Sequence, residues 1–234
     1  MGTVFDLFAD ESDLGIEAIN AAFEHACNEL HELDDRFSTY KPHSELSRFR
    51  CGEIDSPSAL LDEVIELSSR ACGMSRGYFD PWAMPGGFDP TGLVKGWAID
   101  RVAKIFRSFG ITIGAVNGGG DIAVINPVGQ KVGVQHPLDR VAMCGVVWVE
   151  SAIATSGLYE RGNHLRNPFG GDVAAISATV VGAELVFCDV MATALAVGGK
   201  EVLYLLEQVN DTEGFFIDGH GSMYKTSGMS FCDP

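Results

Sequence analysis

Apolar residues fall into two kinds of pattern along this chain. Short runs from Thr3 to Ala9 read as a first strand. From Leu14 onward the period changes: Ile19, Ala22, Phe23, Ala26, Leu30 and Leu33 recur every three or four positions, which predicts an amphipathic helix. A second helix is predicted from Ser56-Pro57, a capping serine with proline in the first turn, carrying Leu60, Leu61, Val64, Ile65 and Leu67 to about Gly73. A third runs from Gly92 to Phe109, with Val94, Ala98, Val102 and Ile105 on one side and Gly110 as its stop. Beyond it the pattern turns to short β-branched runs at 111–116, 121–126, 131–135, 143–150 and 174–181. Helices at 183–197 and 201–209 and a closing hairpin at 215–217 and 223–225 complete the prediction. Strands and helices do not alternate regularly, so the pattern predicts an α+β fold rather than a doubly wound parallel sheet.

Length and charge narrow the function. The 234 residues are read as one domain, 1–234, large enough to bury a substantial core. The net charge of −16 argues against nucleic acid, which needs a basic face. No run approaches the length of a membrane span, and the first residues carry neither a basic region nor an apolar signal core. Six cysteines lie far apart without C-x-x-C pairs, as expected of reduced thiols in a cytoplasmic protein. Glycine, at 28 residues, is well above the usual share of about 7%. Such an excess points to tight turns and to backbone approaching a ligand.

Several polar segments are candidates for chemistry. Asp34 to Arg50 holds Tyr40 among serines and threonines, either as a capped loop or as an aromatic platform for a flat ring. Asp89-Pro90-Thr91-Gly92 opens a helix that presents Lys95, an arrangement suited to phosphate or simply a capped helix with a solvated lysine. Asn117-Gly118-Gly119-Gly120-Asp121 lies between strands, so it is not a dinucleotide fingerprint but a glycine hairpin. Asp189 and Thr193 stand four apart in a very apolar helix and share one face. A carboxylate there costs several kcal/mol unless it is compensated, by a hard cation or by an arginine or backbone N–H. His164 is either a general base or a surface histidine.

Taken in order, these segments resemble the ApbE family of flavin transferases. The resemblance rests on Met1-Gly2-Thr3, Phe37-Ser38-Thr39-Tyr40, Ser44 to Arg48, Gly77-Tyr78-Phe79-Asp80, Asp89 to Asp100, Asn117 to Asp121, Thr155-Ser156-Gly157, His164 to Gly171, and Asp189 to Thr193. It implies two interleaved α+β halves, T-fold-like, with a flavin-binding cleft between them. FAD would be the substrate, with Met1 and Tyr40 near the isoalloxazine and Tyr78, Phe79, Asp80, Asp89, Lys95, Asn117 and Asp121 around the rest. Magnesium would be held by the Gly92 carbonyl, Asp189 and Thr193, and His164 would serve the attacking hydroxyl. The implied reaction moves FMN from FAD to a threonine of an acceptor flavoprotein and releases AMP. Hydrolysis of FAD to FMN and AMP, and FAD binding without reaction, are the alternatives. Three departures from the family pattern stand out: a short stretch between Asp80 and Asp89, Gly92 at a position often alanine, and Asn167 where an aspartate is usual.

Overall fold

A computed structural model describes residues 2–10, 14–157 and 166–233. Among the described residues, ten strands form two antiparallel sheets. The larger has seven strands in the order β1 (Phe5–Ala9), β2 (Gly114–Gly118), β3 (Asp121–Ile125), β6 (Ala152–Gly157), β7 (Ser177–Gly182), β8 (Glu213–Ile217) and β9 (Met223–Lys225). The smaller orders β10 (Phe231–Cys232), β5 (Asp139–Val149) and β4 (Gln130–His136). Helices α1 (Ile16–Phe37), α2 (Glu45–Arg50), α3 (Ala59–Met74), α4 (Thr91–Ser108), α5 (Leu185–Gly198) and α6 (Lys200–Leu206) complete the described chain. The α+β class read from the sequence is the class observed.

The layering follows from the two-residue period of the strands. On β3, Ala123 and Ile125 join the core under the helices, while Val124 turns to a second core with Val134, Val147 and Val149 of the small sheet. Ala154 and Ile153 of β6, and Phe216 and Phe215 of β8, divide in the same way. The central strands β3, β6 and β8 are therefore covered on both faces, and β3 and β8 read as nearly continuous apolar runs.

Element ends are set by local chemistry. The Ser44 side chain accepts from Ser47 N at 3.0 Å and starts α2, a helix where the sequence suggested only a turn. Helix α3 begins after Ser58, two residues later than Ser56-Pro57 suggested, because the Ser58 hydroxyl accepts from Leu61 N. Gly110, at φ +88°, ends α4, with Ile111 N bonded back to Phe106 O at 3.0 Å. That bond takes Ile111 into the helix cap, so β2 starts at Gly114 rather than at Ile111. β6, absent from the strands that the sequence pattern predicts, is a central strand. Its side chains from Ala154 to Gly157 are small, and α5 packs directly across them.

Candidate functional site

Helix α4 meets α5 at a glycine. A Cβ on Gly96 would lie 2.8 Å from Leu185 O and 3.0 Å from Val186 Cα and Asp189 Cβ, so only glycine permits this approach. The approach lets Gly96 N donate to Asp189 Oδ2 at 3.2 Å. Asp100, one turn further along α4, caps α5 by accepting from Leu185 N at 3.1 Å and Val186 N at 2.8 Å. Burial pushes the Asp100 carboxyl up in pKa, against the lowering by these two amides.

Asp189 is 3% exposed, and its Oδ1 lies 3.7 Å from Lys95 Nζ. The same ammonium is bonded to Asp121, which is fully buried and also accepts from Thr155 N at 2.9 Å. Asp121 is delivered by the β2–β3 hairpin, where Gly119 and Gly120 both take positive φ in a two-residue turn. Thr193 Oγ1 pairs with Ser156 Oγ at 3.0 Å. An amide and an ammonium thus offset the buried carboxylate; the backbone N–H that the sequence left as one alternative is present.

Above this floor opens a cleft of about 490 Å³, within the usual size range of small-molecule sites. Tyr40, Tyr78, Phe79, Asp80, Asp89, Gly92, Lys95, Asp189 and Thr193 all line it. Asp121 sits beneath it through Lys95. Asn117 does not line it. Its carbonyl accepts from Gly120 N at 2.9 Å, its amide faces Asp6, and it borders a separate depression beside Phe8 and Ala115. Asn117 therefore holds the hairpin that presents Asp121. Met1 and His164 lie outside the described residues.

The walls are well anchored. Tyr40 is 93% exposed at the rim. Its loop is fixed by Ser44 Oγ and Ser47 Oγ, both donating to Ser38 O, and by Glu45, which ties Ser58 N, Ser58 Oγ and Arg36 together. Burial alone would raise the Glu45 pKa, but Ser58 and Arg36 outweigh it and hold the carboxyl below the usual range. The short stretch between Asp80 and Asp89 is clamped by Arg50, which donates to Pro85 O at 2.9 Å and contacts Asp89 at 3.4 Å. Asp89 Oδ1 in turn accepts from Thr91 N and fixes the start of α4. Asn167, the departure beside His164, accepts from Phe169 N at 3.0 Å as a turn residue.

Sequence reasoning missed Gly96 and Arg50. A glycine inside a helix costs about 1 kcal/mol relative to alanine, and that cost was the available signal for Gly96. Arg50 had none, because its partners are more than thirty residues away.

Among the described residues no three His, Cys, Asp or Glu side chains cluster as a metal site. The cleft lining brings together hard-oxygen residues: the Asp189 carboxylate and the Thr193 hydroxyl, with Gly92 also among the lining residues. That set fits Mg²⁺, which takes few protein ligands and completes its shell with water and phosphate.

The fold and cleft define an α+β protein in which a lysine and two buried carboxylates meet at the floor of an aromatic-rimmed cleft. The model of the ApbE family matches residues 1–86 and 83–216, and the chain belongs to that family. It is similar to the FAD:protein FMN transferase of Vibrio cholerae, 26% identical over a 239-residue alignment covering 74% of this chain and 72% of the relative. Its fold is similar to that of the flavin transferase ApbE from V. cholerae, at 21% identity and TM-score 0.80, covering 97% of this chain and 94% of the other. The ApbE protein of Thermotoga maritima matches at 17% identity and TM-score 0.84, with the same coverages. The flavinyl transferase ApbE of Pseudomonas stutzeri, in its apo form, matches at 20% identity and TM-score 0.78, over 97% and 92% of the two chains. No helix among the described residues is long and apolar enough to cross a membrane.

Proposed function

We propose that this protein is an FAD:protein FMN transferase that uses Mg²⁺ and a threonine hydroxyl of an acceptor flavoprotein. The observation that carries the reading is the buried Asp189–Lys95–Asp121 group with Thr193, at the floor of a cleft rimmed by Tyr40, Tyr78 and Phe79. Family membership and the named relative support the same reaction.

In this reading the isoalloxazine lies against Tyr40 and the pyrophosphate reaches the start of α4. The helix N-terminus and Lys95 neutralise the phosphates there. Asp189, Thr193 and the Gly92 carbonyl would hold the metal, which supplies charge neutralisation to the phosphoryl group in flight. His164 takes the proton of the acceptor hydroxyl as its oxygen bonds to the FMN phosphorus. The P–O bond to the AMP phosphate breaks, and AMP leaves with the bridging oxygen.

The test is incubation with FAD, Mg²⁺ and an acceptor protein. Protein-bound FMN with AMP in equal amount is the expected result, and His164→Ala should slow it by about 10²–10⁴-fold. Free FMN with AMP would establish hydrolysis in its place, and unchanged FAD would leave binding alone.

A further inference from the structure

We propose that Lys95 is a built-in competitor for the divalent cation, keeping the metal site weak until an anionic ligand draws the ammonium away. The inference rests on the assignment of Asp189 as a metal ligand above. Lys95 is only 12% exposed and stands between two carboxylates from different elements, Asp121 of β3 and Asp189 of α5. Asp121 cannot follow the lysine, because Thr155 N holds its other oxygen at 2.9 Å. Asp189 is likewise fixed, by Gly96 N. The longest and most adaptable side chain of the three is that of Lys95, whose ammonium rides on four methylenes.

One positive charge shared by two buried acids offsets part of their charge, which makes the ligand-free site tolerable in a desolvated floor. A divalent cation at Asp189 and Thr193 must then sit within a few ångströms of that ammonium. Repulsion at such distances in a partly desolvated site weakens binding by roughly tenfold or more. A diphosphate entering at the start of α4 offers the ammonium a new partner, relieves Asp189 and raises metal affinity. Nucleotide and metal therefore reinforce one another.

The test is direct Mn²⁺ binding to the ligand-free protein, followed by the EPR signal of the free ion. Lys95→Met keeps the length and removes the charge, and its dissociation constant for Mn²⁺ should fall by about tenfold or more. Wild-type or weaker affinity in folded Lys95→Met overturns the proposal. Should Lys95→Met fail to fold with Asp121 left uncompensated, Lys95→Met/Asp121→Asn removes both charges. It should still bind several-fold more tightly than wild type, and equal or weaker binding there overturns the proposal. Asp189→Ala separates the two layers of inference: it should abolish the Mn²⁺ binding of either background. If Asp189→Ala binds like its parent, the ligand assignment fails and the competitor role fails with it. Loss of binding in Asp189→Ala with no gain in Lys95→Met leaves the ligand assignment standing and refutes the competitor alone.

Discussion

Gly96→Ala tests how the site is built. The added methyl would sit 2.8 Å from Leu185 O and 3.0 Å from Val186 Cα, both backbone atoms that no rotamer change can clear. Relief requires α5 to back away from α4 by an appreciable fraction of an ångström. Overpacking of this kind costs about 1–3 kcal/mol. Loss of the amide bond from Gly96 to the Asp189 carboxylate adds about 1.5–3 kcal/mol. Alanine returns about 1 kcal/mol through helix propensity. The net is a destabilisation of about 1.5–5 kcal/mol, or roughly 3–20 °C in Tm for a chain of this size. Because Asp189 moves with α5, Mn²⁺ affinity and FMN transfer should fall further than stability does; a misplacement near 1 Å costs about 10²-fold in rate. Gly73 supplies the control: it lies in α3 with nothing within 4 Å of a built Cβ, so Gly73→Ala should leave Tm unchanged or raise it slightly. Thermal melts and Mn²⁺ titration of the two variants read both effects. A Gly96→Ala protein with wild-type Tm and wild-type metal affinity would refute the claim that glycine sets the α4–α5 distance.

Two further outcomes are expected. Tyr40 is almost wholly exposed and so contributes little to folding; Tyr40→Ala should keep its Tm while losing about 0.5–1.5 kcal/mol of FAD affinity and almost none for ADP, by fluorescence titration. Equal losses for the two ligands would return the loop to a structural role. Glu45 has a folded pKa below its unfolded value, so its contribution is present above the ordinary glutamate pKa and lost as pH falls through the folded one. Urea midpoints of wild type should therefore drop between pH 7 and pH 3, with Glu45→Gln lower by about 1–3 kcal/mol at pH 7 and converging on wild type in acid. Parallel pH profiles for the two proteins would remove Glu45 from the account.

The sequence alone determined the class of fold and most of the cast. Periods near 3.6 located α1, α3 and α4, each with a core-facing side, whereas α5 is buried nearly all round and was legible as an apolar run of helical length. Asp189 and Thr193 were legible as a pair because a carboxylate and a hydroxyl one turn apart in so apolar a helix need an explanation. Tyr40, Asp89 and Lys95 were legible through their loop and cap contexts, and all three line the cleft. The tertiary structure alone decided the rest. β6 was hidden because its small side chains, chosen for contact with α5, carry little hydrophobic signal. That Asn117 holds its hairpin through a bond from Gly120 N was likewise not legible, since short-range pattern cannot tell which side of a turn faces a cleft. The bond from Lys95 to Asp121 joins positions 26 residues apart, and that from Gly96 to Asp189 joins positions 93 apart. Periodicity reports only neighbours within a few turns along the chain. The balance of charge at the site is a sum over α4, β3 and α5, and only their packing brings its members together.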